Sequence, residues 1–154
     1  MIVGIKHRYV ITEIGTADFL HAVFSTISGN LEPNGWGTQF PVLMKKLYFE
    51  ELTQSDARPA LMELGTIIEG LSKLSIDSIV WDAADHSKRP SPVDKERCGA
   101  TILSDYFITT TRREFLPTLE ELLIDLRDAG GTLKVVEMPG TQHQVTFIDV
   151  PTSE

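Results

Sequence analysis

The sequence is poor in cysteine and in basic residues. Its 154 residues include one cysteine, Cys98, so neither an intrachain disulfide nor a zinc site of several cysteines can form. A lone cysteine is typical of proteins in a reducing compartment. Lys and Arg number 14 against 22 Asp and Glu, which gives a formal net charge of -8. Because Lys and Arg drive phosphate binding, this balance argues against nucleic acid or an anionic membrane as a ligand, whereas it suits a basic partner and also serves solubility.

Long apolar runs and a secretory signal are also missing. No stretch approaches the roughly 18–20 apolar residues of a membrane span. The N-terminus has a short apolar start, but no small-residue cleavage site follows a longer apolar core. A chain of this length is typical of one domain. These features predict a single cytoplasmic, unprocessed domain over residues 1–154.

Apolar residues at helical spacing predict three main helices. The first is capped by Thr16 or Asp18 and is stopped by the polar and glycine residues 28–30. A shorter helix follows from Pro41 to about Tyr48, with proline in its first turn. The three main helices are predicted over about residues 16–27, 55–74 and 111–129.

Short apolar or alternating runs predict the strands. Residues 2–11 favour either one bent strand or a tight hairpin. Further strands are predicted at residues 76–81 and 100–110, and a terminal hairpin at residues 132–138 and 142–150. The fold class is therefore α+β: a mostly antiparallel sheet from N-terminal, middle and C-terminal strands, with three main helices packed against it.

A loop rich in turn-forming residues separates two apolar runs. It contains Pro33-Asn34-Gly35, in which proline presets one φ angle while asparagine and glycine tolerate positive φ. Trp36 follows, between two glycines. It is either an anchor folded back onto the helices or an exposed contact, and we favour the anchor because an exposed tryptophan is a liability. The predicted structural anchors are Trp36, Trp81, Phe24 and Phe40.

No residue pattern rises to a catalytic motif. His86 follows Asp82 and Asp85, so these residues form either a carboxylate–imidazole pair for proton transfer or metal binding, or a solvated loop. Cys98 has no base near it in the sequence. His21 is predicted to be partly buried and hydrogen-bonded to the backbone. No catalytic residue, metal ligand or cofactor is predicted.

Four segments together resemble the bacterial immunity protein 70 family, over about residues 14–126. They are a phenylalanine-rich helix continuing through Leu-Glu and Gly-Trp-Gly, the run Phe-Pro-Val-Leu-Met, the segment VWDAADHSKRPSP, and LSDYFITT before a striped helix. Members of this family are associated with polymorphic toxin systems. The resemblance implies a cytoplasmic protein that binds and neutralises a cognate toxin. Our leading hypothesis is a non-enzymatic inhibitor that occludes the active site of a toxin domain, such as a nuclease, with its carboxylates opposing a basic surface.

The predicted contact residues lie in loops, where recognition residues usually sit on a rigid scaffold, or are acidic residues suited to a basic toxin. The toxin-binding candidates are Asp82, Asp85, His86, Glu32, Asn34, Glu50 and Glu51. A homodimer is left open. The alternative function is a small enzyme or ligand-binding domain that uses the Asp82, Asp85 and His86 loop.

Overall fold

The computed structural model describes residues 1–80 and 102–138, and in this part of the chain four strands form one antiparallel sheet. The order in the sheet is β2-β1-β4-β3. The strands are β1 (Ile2–His7), β2 (Val10–Thr16), β3 (Leu52–Thr53) and β4 (Thr132–Glu137). The predicted antiparallel sheet is thereby confirmed as a class, although its middle strand, β3, is not one of the predicted strands.

The first two strands form the hairpin that the sequence left as one of two alternatives. Val3 pairs with Gly15 and Gly4 with Glu13, so Ile14 is an extra residue in a β-bulge. The Ile14 side chain is fully buried, and its carbonyl accepts a hydrogen bond from the backbone N–H of Thr110 at 3.0 Å. The bulge thus directs the side chain of an edge-strand residue into the core. The carbonyl of the same residue connects β2 to the loop that contains Thr110.

The apolar stripes of three long helices share one core with the sheet face that carries Val3, Ile5 and Leu133. A π-helix, Val42–Leu47, lies between the first two, and the 3₁₀ turns Gln54–Asp56 and Ile76–Ser78 are short connectors. The α-helices are α1 (Ala17–Leu31), α2 (Ala57–Ser72), α3 (Leu103–Tyr106) and α4 (Phe115–Ala129). The α+β prediction with three main helices is confirmed.

Helix α1 begins as predicted but runs four residues beyond its predicted end at Ile27. The hydroxyl oxygen of Thr16 caps it by accepting from the Phe19 N–H at 3.0 Å. Gly29 is not a stop signal, because it lies within the helix against Val80. A Cβ at Gly29 would lie 2.9 Å from Val80 Cγ2, so glycine here permits close approach of the segment that follows α2.

Two predicted strands are wrong over their described residues. Residues 76–78 form a 3₁₀ turn, and residues 103–106 form α3, with isolated bridges at Ser75–Ile102 and Ile108–Glu114. A short apolar run fits a buried helical turn as well as a strand, and here tertiary packing decided between them. Helix α4 begins at Phe115 rather than Thr111, because Arg112 adopts a left-handed φ of 67° that no helix can include.

Candidate functional site

The carboxylate of Glu32 organises the loop that follows α1. Its Oε1 accepts from the Gly37 N–H at 2.9 Å, and its Oε2 accepts from the N–H groups of Gln39 at 3.1 Å and Phe40 at 2.9 Å. Gly37 has a φ of 82°, a conformation that glycine adopts at little cost. Glu32 is only 3% exposed. We therefore assign this predicted toxin contact to the scaffold, because its oxygens are directed at the protein's own backbone.

The folded loop carries Trp36 onto α1 and the π-helix. The indole stacks on His21 with ring centroids 5.9 Å apart, and on Phe24 at 6.5 Å. Its Nε1–H donates to the carbonyl oxygen of Met44, within the π-helix, at 2.7 Å. Trp36 remains partly exposed while packing against the core. Both alternatives weighed from the sequence stay open, because the side chain packs against the core and also reaches the surface.

Trp36 belongs to an aromatic cluster of five residues: His21, Phe24, Trp36, Tyr48 and Phe49. Tyr48 meets Phe49 edge to face at 4.8 Å, and Phe49 lies 6.3 Å from Trp36. His21 Nδ1 and the Tyr48 hydroxyl are hydrogen-bonded at 2.8 Å, so this ring nitrogen has a side-chain partner, and the predicted backbone hydrogen bond stays a prediction. Phe49 is 67% exposed at the outer end of the cluster. The cluster of packed rings therefore ends in an aromatic group that faces solvent.

Three predicted contact residues border this cluster. Glu50 and Glu51 directly follow Phe49, and Asn34 precedes Trp36 by two residues; all three side chains are exposed. We call the exposed side of the cluster together with Asn34, Glu50 and Glu51 the aromatic patch. Trp36 and Phe49 bring the two segments that carry these residues within 6.3 Å of each other, and the role of Asn34, Glu50 and Glu51 in toxin binding stays a prediction.

An open cleft lies between the loop and α2. Its volume is about 410 Å³, and Gln39 and Phe40 of the loop and Glu63 of α2 are among its walls. The Glu63 carboxylate caps the π-helix: Oε2 accepts from the Val42 N–H at 3.1 Å and Oε1 from the Leu43 N–H at 2.9 Å. Such a cap satisfies amides that have no partner within the helix.

The same carboxylate is electrostatically unusual. Burial raises the pKa of Glu63, and the negative charge of Glu32 raises it further; the hydrogen bonds from the Leu43 and Val42 amides oppose both but do not cancel them. Two carboxylates therefore bind backbone amides of two adjacent stretches, residues 37–40 and residues 42–43. Glu32 folds the loop, and Glu63 fixes the start of the π-helix.

The segments just described fall within a match to a known family. The model of the family named immunity protein 70 matches residues 5–135. The chain belongs to this family. The matched span runs from β1 into β4 and includes the buried Glu32, the aromatic cluster and the cleft. The resemblance seen in the sequence is confirmed and extends further toward both ends. No curated protein and no solved structure matches the chain.

The remaining predicted site residues fall into two groups. Phe24 and Phe40 are buried in the core of this family member, and their role as anchors stays a prediction. The other group lies outside the described residues, so the roles predicted for it stay predictions. That group consists of Trp81, Asp82, Asp85, His86, Cys98 and the second strand of the terminal hairpin.

Other kinds of site receive no support from the described part of the chain. Residues 1–80 and 102–138 contain no group of three or more His, Cys, Asp or Glu residues placed to hold a metal ion. No helix described here combines the length and apolarity needed to cross a membrane. The exposed acidic residues of α4 face solvent, and two of them pair with neighbouring arginines: Arg113 with Glu121 at 2.8 Å and Arg127 with Asp128 at 2.9 Å.

Phe49 and Glu63 were missed by the sequence reasoning. Phe49 ends an apolar run that begins at Phe40, and it looks like one more core residue until the π-helix shows which side of the run is buried. Glu63 is an acidic residue beside the apolar stripe of a helix, a pattern that usually indicates a solvated face. Only its hydrogen bonds with the Val42 and Leu43 amides distinguish Glu63 from an ordinary solvated acidic residue.

Proposed function

We propose that this chain is an immunity protein that binds the cognate toxin domain of a polymorphic toxin system and neutralises it by covering its active site. The observation that carries the proposal is the family match over residues 5–135. Binding alone accounts for the activity, so the protein acts as a stoichiometric inhibitor and not as an enzyme. It works in the cytoplasm, as one domain over residues 1–154.

The aromatic patch is the surface that best suits such a partner. Binding energy in protein interfaces concentrates in a few aromatic and arginine residues near the centre of the contact. Phe49 is 67% exposed yet held at 4.8 Å from Tyr48, so it offers apolar area without a large loss of side-chain freedom on binding. Glu50 and Glu51 would then form part of the polar rim.

Charge supports a basic toxin surface, such as that of a nuclease. The protein carries a formal net charge of -8. Within the described residues neither Glu50 nor Glu51 forms an ion pair, since the salt bridges there involve Asp56, Glu69, Glu121 and Asp128. Free carboxylates beside an apolar centre speed the encounter with a basic partner and select against acidic ones.

Co-expression tests the proposal directly. The toxin domain encoded by the adjacent open reading frame is induced in a bacterial host with or without this protein. We expect growth only when both are present, and co-purification of the two chains as a complex. A host that dies despite well-expressed, folded protein, with no complex recovered, would overturn the proposal. A catalytically inactive toxin variant serves as the control for the toxicity of expression itself.

A further inference from the structure

The cleft between the loop and α2 combines apolar walls with a carboxylate. Leu31 and Phe40 line one side, and Met62, Glu63 and Thr66 of α2 line the other. Met62 is 77% exposed at this site and therefore offers apolar surface to a ligand. A cleft of about 410 Å³ lies within the size range of sites that bind small groups.

Negative charge at the cleft is not balanced by the described residues. Glu63 is one wall, and Glu32 lies close enough to raise its pKa. Within residues 1–80 and 102–138 no Lys, Arg or His forms an ion pair with either carboxylate. Each Glu63 oxygen accepts one backbone N–H, and a carboxylate oxygen can accept a second hydrogen bond. The cleft therefore keeps both acceptor capacity and negative potential for a cation.

We propose that the cleft receives a lysine or arginine side chain of the cognate toxin, an inference that rests on the proposed function. The cationic head binds the Glu63 carboxylate, and the aliphatic stem packs against Leu31, Phe40 and Met62. Long basic side chains have this division between an apolar stem and a charged head. A small hydrated metal ion fits less well, because apolar groups form most of the named walls and hard cations need several oxygen ligands.

The first experiment needs no toxin. Amide chemical shifts of the ¹⁵N-labelled protein are followed while n-butylguanidinium is added to millimolar concentration, with n-butanol as the uncharged control. We expect the cation to shift the Val42 and Leu43 amides, which contact Glu63, and n-butanol to leave them largely unmoved. Absence of a saturable shift at these amides with the cation would overturn the cleft assignment.

A charge-matched pair of variants locates the effect. Residue 66 lies three residues after Glu63 on α2, so Thr66→Lys places a cation of the protein's own within reach of that carboxylate. Gly65→Lys adds the same charge at the preceding residue of the helix. This position is exposed, and a Cβ there meets no atom within 4 Å. Both positions are exposed, so we expect both variants to fold. We expect Thr66→Lys to abolish the n-butylguanidinium shifts and Gly65→Lys to preserve them.

Binding of the toxin gives the second measurement. Thr66→Lys should weaken the complex by roughly tenfold or more, whereas Gly65→Lys should change Kd by less than about threefold. Equal weakening by both variants would mean that only the overall charge matters and would overturn the cleft assignment. If n-butylguanidinium binds at the cleft but wild-type protein does not bind the toxin, the proposed function fails and the cleft's preference for cations stands. If the toxin binds and Thr66→Lys has no effect, the cleft assignment fails alone.

Discussion

The indole N–H of Trp36 donates a hydrogen bond to the carbonyl oxygen of Met44 across 2.7 Å. This bond joins a loop rich in turn-forming residues to the π-helix, whose wider turn displaces the regular α-helical hydrogen bonds. Tyr48 and Phe49 follow that π-helix directly, so its geometry decides where the outer rings of the aromatic cluster stand. The Trp36–Met44 contact therefore links the folding of the loop to the shape of the proposed binding surface.

Replacing Trp36 should separate its packing from its hydrogen bond. Trp36→Phe keeps an aromatic ring but removes the donor to Met44, and we expect a loss of about 1 kcal/mol in the free energy of unfolding. Trp36→Ala also removes the contacts with His21 and Phe24 and should cost roughly 3 kcal/mol. Urea unfolding followed by circular dichroism measures both. A loss below about 1 kcal/mol for Trp36→Ala would mean that the residue is not an anchor.

Glu32 should behave as a scaffold residue. Glu32→Gln keeps the shape but replaces one acceptor oxygen by an amide that faces backbone donors, so we expect it to destabilise the protein by roughly 2–3 kcal/mol. The exposed Glu51→Gln is the matched control and should change stability by less than about 0.5 kcal/mol. Urea melts provide the comparison. Equally small changes in the free energy of unfolding for both substitutions would mean that Glu32 is not a scaffold residue and is again a candidate toxin contact.

The raised pKa of Glu63 has a defined consequence for stability. Its carboxyl binds a proton more tightly in the folded than in the unfolded chain, where the ordinary value is 4.5. At pH values between 4.5 and the folded-state pKa, the folded protein therefore binds more protons at this group than the unfolded chain does. This group's contribution to stability falls as pH rises through that window. Carbon-detected NMR titration should give a pKa above 4.5 for Glu63, and a lower one in Glu32→Gln because a neighbouring charge is lost. A wild-type value at or below 4.5 contradicts the geometry.

Phe49 should matter for binding and not for folding. Because the side chain is 67% exposed, Phe49→Ala should change the free energy of unfolding by less than about 0.5 kcal/mol. We expect it to weaken toxin binding by about tenfold or more, as loss of an interface hot spot does. Tyr9→Ala is the control, since Tyr9 is 43% exposed but lies in the β1–β2 turn, outside the aromatic cluster. Similar losses of affinity in both variants would mean that the aromatic patch is not the preferred contact.

Helices with long apolar stripes were predictable from the sequence, and shorter elements were not. The stripe of α2 defines its buried face whatever it packs against. The run Ile76–Val80 is too short to show a period, and it becomes a 3₁₀ turn and a connector that meets α1 through hydrogen bonds from Asn30 to Ser78 and from Val80 to Thr26. Such contacts depend on residues 48 and 54 positions apart, which no local pattern records.

The candidate site was predictable only in outline. The turn residues of the loop and the acidic pair Glu50–Glu51 were visible, and the loop does fold back onto apolar helices. The role of Glu32 was not predictable, because the sequence of an acidic residue after a helix is the same whether its side chain is solvated or buried under a loop. Glu63 contacts an amide 20 residues away, so its part in fixing the π-helix needed the tertiary structure.

The most direct test of the proposed function is a titration of a fixed concentration of the toxin domain with this protein, with toxin activity measured at each step. Neutralisation by binding predicts a linear fall in activity that ends at one equivalent per toxin, and recovery of active toxin when the complex is dissociated. His86→Ala at unchanged stability is expected to remain at least partly protective. Complete inactivation by a small fraction of an equivalent, with His86→Ala inactive and the toxin permanently altered, would contradict the account and establish an enzyme instead.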